Sequence, residues 1–431
     1  MSNKNACKWI PLTDLLLTIV DNRGKSCPTS ESGIPLIATN CIKNTSIYPT
    51  FENIRYVSEN TLHTWFRAEL KPNDILFVNK GTPGRVCLVP NPINFCAAQD
   101  MVGLRADPNK IYFKYLFAVL RSDFIQKKIE NYHVGIAIPH FKKSDMKELL
   151  IPVPSDKIQH FIGDIYFSLS SKIENNNAIS AKLESLAKTI YDYWFLQFEF
   201  PNEEGKPYKS SGGKMVWNEE LKREIPEGWE VTSLRGKYNI VRGISYTSKD
   251  IESGKGLPML NLACIDTSRN YRDGELKYTT GRVTESEKLH GGELLIACTD
   301  LTRNADIVGC PILVPQDGKT YTYSMDLAKI YSTASSLTNM YLYQSLRTDF
   351  YHRYIKKWAS GTNVLHLNLD GLNWYSIALP PVLLQKKYTS LISTIEKEKS
   401  DILAENRQLT SLRDFLLPLL MNGQVTFKGD A

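Results

Sequence analysis

The 431 residues carry 52 Lys and Arg against 46 Asp and Glu, a formal net charge of +6, with 42% hydrophobic and 23% charged residues. That length holds two or three domains with their own cores, and the composition excludes a disordered or collagen-like chain. Apolar runs such as Leu15 to Val20 are far too short to cross a membrane.

The N-terminal residues are polar and show no secretory pattern. The eight cysteines (7, 27, 41, 87, 96, 264, 298 and 310) include no Cys-x-x-Cys pair and have no His at zinc-finger spacing. Neither a metal site nor a disulfide framework is indicated, and a reducing cytoplasm is the expected setting. The mild positive charge permits a polyanionic partner without requiring one.

To about Leu150 the chain reads as mixed short strands and helices. Ile34 to Ile37 is strand-like. Asp74-Ile-Leu-Phe-Val78 and Arg85-Val-Cys-Leu-Val89 flank the loop Asn79-Lys-Gly-Thr-Pro-Gly84, a hairpin-like unit. Tyr112 to Ile129 has the apolar spacing of one amphipathic helix. Leu149-Leu-Ile-Pro-Val leads into a long helical pattern. Asp156 and Gln159 have capping-box-like spacing at its start. Along it, Ile162, Ile165, Leu169, Ile179, Leu183, Leu186 and Ile190 fall on heptad a and d positions, with Lys172 and Asn176 as polar members. A stripe held over more than four heptads predicts a coiled coil. The turn-rich stretch from Pro201 to Gly213 predicts a linker with hairpin character.

The second half repeats the first. Leu120-Arg-Ser-Asp-Phe124 returns as Leu346-Arg-Thr-Asp-Phe350 (346 − 120 = 226), and Gly135 and His140 return as Gly361 and His366. The same offset turns the first heptad stripe into Tyr388, Leu391, Ile395, Leu409, Leu412 and Leu416, with Ile402 facing Asn176 and Glu398 matching Lys172. Upstream the offset drifts from about 220 to 226, which places insertions in the upstream loops. A tandem repeat of globular unit plus long helix follows. Two helices of about 35 residues are each roughly 50 Å long at ~1.5 Å per residue, and an antiparallel pairing would make them a ruler with two heads. DNA half-sites one turn apart suit such an object.

At this point the chain resembles the specificity subunits of type I restriction–modification systems. The carriers are Ile151-Pro-Val-Pro154…Gln159 with Leu379-Pro-Pro…Gln385 at the helix entries, and Tyr191-Asp-Tyr-Trp-Phe195…Phe198-Glu-Phe-Pro201 with Leu416-Leu-Pro-Leu-Leu420-Met-Asn-Gly423 at the helix ends. Asp74-Ile-Leu-Phe…Lys80-Gly-Thr-Pro-Gly-Arg85 and the looser Gly292-Glu-Leu-Leu-Ile-Ala…Gly309 complete the match. The resemblance implies an α+β protein. Two mixed α/β target-recognition domains (1–153 and 226–379) are joined by spacer helices (154–198 and 380–423) that form an antiparallel coiled coil. A linker (199–225) and a tail (424–431) complete this pseudo-two-fold tandem repeat. It further implies a cytoplasmic, non-catalytic subunit that reads a bipartite duplex site and directs two methyltransferase subunits, and optionally two restriction subunits. The chain itself is expected to hold no cofactor and no metal. S-adenosylmethionine, ATP and Mg belong to the partner subunits.

Residues expected at the DNA are Asn79, Lys80, Gly81, Thr82 and Arg85 in the first loop, with Arg23, Lys25, Asn40 and Lys43 nearby. Thr299, Thr302, Arg303, Asn304, Arg242 and Tyr246 are their counterparts in the second half. Helix packing or capping is expected for His140 and His366. Ile190, Trp194, Phe195, Leu416, Leu419 and Leu420 are expected at a subunit interface. No Asn/Asp-Pro-Pro-Tyr/Phe methyltransferase motif is present, and Glu396-Lys-Glu-Lys399 has nuclease-like spacing but sits within the heptads. The alternative is a two-headed protein-binding scaffold that never touches DNA.

Overall fold

The computed structural model describes residues 7–22, 26–131, 139–273, 276–302 and 304–421, without the side chains of 419–421. Two compact units emerge, one built from residues up to 178 together with those from 406 on, the other from 179–405. The architecture is α+β in both.

The first unit holds β1 (Lys8–Pro11), β2 (Leu16–Val20), β3 (Ile34–Ile37), β4 (Arg55–Val57), β5 (Ile75–Val78), β6 (Val86–Leu88), β7 (Cys96–Ala97), β8 (Met101–Ala106) and β9 (Leu150–Val153). Its helices are α1 (Glu59–Trp65), α2 (Phe113–Arg121), α3 (Asp123–Asn131) and the first part of α4 (Asp156–Tyr191). A four-stranded sheet runs β2-β8-β5-β6, a three-stranded one β4-β3-β7, and β1 pairs with β9. The expected hairpin is β5–β6, in register Ile75↔Leu88. All four residues of β5 are buried, because the sheet is covered on both faces. Ile75 and Phe77 face a core with α2 and α4, whereas Leu76 and Val78 face Ile37, Cys87 and Phe95.

The second unit holds the hairpin β10 (Met215–Asn218) and β11 (Arg223–Pro226), then β12 (Glu230–Ser233), β13 (Tyr238–Arg242), β14 (Leu257–Leu260), β15 (Lys277–Thr279) and β16 (Leu294–Ala297). It continues with β17 (Thr299–Asp300), β18 (Pro311–Leu313), β19 (Thr322–Tyr323), β20 (Leu327–Ser332), β21 (Ala359–Ser360), β22 (Leu365–Leu367) and β23 (Ser376–Leu379). Helices α5 (Asn339–Ser345), α6 (Asp349–Ile355), α7 (Asp370–Asn373) and most of α8 (Val382–Met421) belong with them. The sheets β13-β20-β16-β18, β15-β14-β19 and β12-β23 reproduce the order of the first unit strand for strand. A further sheet, β17-β22-β21, has no full counterpart. The stretch read as a linker is folded rather than free. Phe198 and Phe200 are buried against Trp229, and Phe200 stacks on Tyr208 at 4.6 Å.

The same polar devices hold both units. The Gln159 carboxamide accepts from Tyr112 N at 2.9 Å and donates to Pro154 O at 3.0 Å. Gln385 accepts from Thr338 N at 2.9 Å and donates to Pro380 O at 2.8 Å, each partner offset by 226. The expected capping box on Asp156 is therefore replaced by a clamp. Gln159 reaches across to the start of α2 and back to the proline before its own helix. Buried Tyr115 donates to Pro152 O, and Tyr341 does the same to Ala378 O. The helix expected over Tyr112–Ile129 breaks at Ser122, whose hydroxyl donates to Val119 O and accepts from Ile125 N; Thr348 does the same with Ser345 O and Tyr351 N. A hydroxyl that satisfies the backbone at a break makes it a cap between two helices.

The long helices run antiparallel within each unit. In the first, Tyr166 lies under Arg413 and Asn176 meets Asn406; in the second, Glu184 meets Lys399 and Tyr191 meets Tyr388. The seam lies mostly one residue C-terminal to the predicted phase. Ile173, Ala187, Tyr191, Ile392 and Leu417 are buried, whereas Lys172, Ile179, Leu186, Leu391 and Leu412 are exposed. Small and aromatic side chains such as Ala187 and Tyr166 fill the seam, so an aliphatic count misplaces it. Ile162, Asn176, Tyr388, Ile395 and Ile402 are buried as expected.

Asn176 donates to Asn406 Oδ1 at 2.9 Å, and Asn406 donates to Asn177 Oδ1 at 2.8 Å. Replacement of Asn406 by Ala would leave the buried Asn176 amide without this partner. The expected loss is about 1–3 kcal/mol, measured by chemical denaturation. In the second unit Glu184 bridges Arg347 and Lys399. Burial pushes its carboxyl up, but the two cations outweigh burial and hold it below the usual 4.5. A depressed folded pKa stabilises above the unfolded value and is lost as pH falls through the folded one. The Tm should therefore fall as pH drops below 4.5. Glu184→Gln should be less stable at neutral pH by about 3 kcal/mol, with a flatter acid limb in a pH series of melts.

Candidate nucleic-acid interface

In each unit three segments meet at one end of the four-stranded sheet. In the first, the loop after β5 is held by Asn79 N and Lys80 N donating to Asp100 O at 2.9 and 3.3 Å. Phe141 N donates to Asn79 O and Gly81 N to Pro139 O, at 2.8 and 3.0 Å. In the second, Cys298 N donates to Asp326 O and Leu367 N to Cys298 O, at 2.7 and 2.9 Å. Lys80 bridges His140, and Thr299 pairs with His366. The two histidines thus occupy strand positions opposite their loops rather than helix caps. The lost capping role has a simple cause: residues 139–141 and 365–367 lie along the sheet edge.

Both loops close identically. Gly84 N donates to Val78 O and Gly309 N to Ala297 O, at 3.0 and 2.9 Å. Both glycines have positive φ (+88° and +70°) and lie against Ile129 and Ile355, where a Cβ would come within 3.2 and 2.8 Å. Between these matched ends lie residues 79–83 in one loop and 298–308 in the other, five against eleven. The drift in repeat offset is largely this one insertion.

Of the expected contact residues, Lys80, Gly81, Arg85, Asn304 and Arg242 are exposed. Among the described residues neither Lys80 nor Arg85 has an ion-pair partner. Thr82, Thr302 and Tyr246 are half-buried. Asn79 and Thr299 are corrected: both are buried. The Asn79 amide donates to Phe141 O, and the Thr299 hydroxyl donates to Asp326 Oδ1 at 2.8 Å. Thr302 spends its hydroxyl accepting from Asp306 N. Asn40 and Lys43 both bind Glu52 and so brace their own loop, while neighbouring Asn44 accepts from Val86 N beside Arg85. Arg242 donates to Met325 O at 3.4 Å, which brings it beside the Asp326 turn that carries the second loop. Lys277 donates to the Tyr246 hydroxyl and lies over its ring. Arg23, Lys25 and Arg303 lie outside the described residues.

The expected subunit-interface residues divide similarly. Phe195 is corrected: it is 2% exposed, packed edge-on against Tyr341 and Tyr388 in the core of the second unit. Ile190, Trp194 and Leu416 are half-buried against their cores. The side chains of Leu419 and Leu420 lie outside the described set.

Sequence reading missed three kinds of residue. Arg121 is buried and donates to the carbonyls of Lys43, Ser46 and Val86, and its repeat partner Arg347 binds Glu184 and Asn270. Asp74 takes a two-pronged bond from Arg105 (2.9 and 2.8 Å). Asp300, fully buried, accepts from three backbone N–H groups. The paired Leu-Arg-Ser/Thr-Asp-Phe motifs could have flagged the arginines; nothing in the sequence marks Asp300. Among the described residues no group of His, Cys, Asp and Glu could hold a metal ion, and all eight cysteines are free thiols. No described helix is long and apolar enough to cross a membrane.

Residues 22–185 match the family model for the type I restriction modification DNA specificity domain. The type I restriction enzyme MjaIX specificity subunit of Methanocaldococcus jannaschii is 25% identical over 365 residues, covering 81% of this chain and 77% of that one. The HindI specificity subunit of Haemophilus influenzae is 22% identical over 424 residues, covering 83% and 88%. The crystal structure of the type I restriction–modification S subunit from M. genitalium shares the fold, with a TM-score of 0.59 at 17% identity over 97% of each chain. A repeated α+β unit, loops of unlike length on a common frame and these relatives agree: the first unit carries the match to a type I DNA specificity domain, and the chain along most of its length is similar to type I restriction–modification specificity subunits.

Proposed function

We propose that the chain reads a bipartite duplex site, each unit taking one half-site and the paired helices setting the unread spacer. The observation that carries this reading is the pair of matched frames that carry exposed loops of unlike length and sequence. A frame repeated at a fixed offset supplies two similar docking geometries, and unlike loops supply two different readings. Lys80 and Arg85 in the first unit, and Asn304, Arg242 and Tyr246 in the second, are the residues offered to phosphates and base edges. Each long helix contributes to both units, which gives the spacer a structural basis.

In this reading the chain does no chemistry. It holds two methyltransferase subunits and, in complexes that cleave, two restriction subunits, in the cytoplasm. S-adenosylmethionine, ATP and Mg act on those partners. Ile190, Trp194 and Leu416 remain the apolar residues offered to them, with Leu419 and Leu420 added from the sequence.

The test is a unit swap. Exchanging residues 7–153 for those of a relative, in the full complex, should change one half of the methylated site and leave the other half and the spacer intact. A change in both halves, or binding without sequence preference, would overturn the model. Salt dependence separates DNA reading from protein scaffolding. Lys80→Ala and Arg85→Ala should each flatten the plot of log affinity against log salt by about 0.9 without a change in Tm, since each neutralised phosphate releases counterions. Slopes equal to wild type would remove these two residues from the backbone contacts.

A further inference from the structure

We infer that Asp300 is a positioning residue for sequence readout by the second unit, and that it acts by presenting Leu301 and Asn304 to the bases. The inference rests on the DNA-reading function proposed above.

The second loop is six residues longer than the first between identical closing bonds. Extra backbone brings extra N–H groups that need partners. Asp300 supplies them. One carboxylate oxygen accepts from Thr302 N at 2.6 Å, the other from Ile307 N and Val308 N at 2.7 and 2.8 Å. Three donors offset the cost of burying a carboxylate with 0% exposure. Both limbs of the loop are thereby pulled onto one side chain, and Thr302 adds a further tie to Asp306 N. The residues left outside this grip are telling. Leu301 is 66% exposed, an apolar side chain held out in solvent directly after a fully buried one. Asn304 is exposed and has no hydrogen bond among the described residues. Leucine can contact a thymine methyl, and asparagine can pair with the adenine edge. The short first loop has no such carboxylate, so the two half-sites are read by differently built fingers.

The test selects bound duplexes from a randomised library with the full complex. Wild type should yield a two-part site. Asp300→Asn keeps the shape but turns an amide NH2 toward backbone donors. It should relax base preference in the second half-site by about tenfold or more, with the first half-site within about twofold of wild type. Leu301→Ala and Asn304→Ala, on the loop surface, should each alter preference at one position of that half-site with no change in melting temperature. These two keep the inference testable should Asp300→Asn misfold. Unchanged second-half preference in the surface variants, or equal loss in both halves for a folded Asp300→Asn, would overturn it. A wild-type chain that selects no two-part site would instead defeat the underlying reading.

Discussion

A buried glutamine at the start of each long helix couples everything else. Gln159 and Gln385 each tie three pieces together: the proline that ends the returning strand, the long helix itself, and the residue that opens the core helix. The side chains are 4% and 0% exposed, so each unmade bond would leave a buried amide group without a partner. This is a stronger constraint than hydrophobic packing, which tolerates sliding. It fixes where the helix leaves the globular unit and at what rotation. Tyr115 and Tyr341 reinforce the same corner from the core side through a carbonyl two residues before the proline.

From that corner the seam follows. A helix whose first turn is locked has its phase set, and the phase decides which side chains meet the partner helix. Asn176 and Asn406 add a polar register mark, since mismatched pairing would bury an amide against carbon. Glu184 adds a charged one, bridging the helix pair to the Arg347 of the globular part. The helices are thus fastened to their units by directional bonds at several heights.

Much of this was legible in the sequence. The constant offset exposed the repeat, and the strand runs and their intervening loop were placed correctly because β-branched and apolar runs bounded by Gly and Pro leave few alternatives. The heptad phase was misjudged because Leu391 and Ile392 stand side by side, as do Leu186 and Ala187, and an aliphatic count prefers the leucine each time. Tyr166 and Tyr191 were invisible as seam residues for the same reason. At the loops, residue type was a poor guide to exposure. Asn79 and Thr299 look like base-reading side chains, yet both are buried and spend their donors inside the protein, Asn79 on the Phe141 carbonyl and Thr299 on the Asp326 carboxylate. Asp300 was unreadable: its role depends on Ile307 and Val308 returning to it, and that return is a property of the folded loop.

The frame and the loops therefore divide the labour in a way that single residues reveal. Positions matched at the fixed offset, such as Gln159 and Gln385 or Ser122 and Thr348, make the same bonds to matched partners. Gly84 and Gly309 close their loops by the same bond, yet between Val78 and Gly84 five residues stand where eleven stand between Ala297 and Gly309. Length can change there because both ends are pinned to the sheet, and loop extension costs little entropy once the ends are fixed. A fold that holds its loop ends this tightly can accept new loop contents without disturbing the helix corner of the same unit. The frame grips other loops as well, through Arg121 on the Lys43 and Ser46 carbonyls and Arg347 on Asn270, so what varies between the units is confined to stretches whose ends are held.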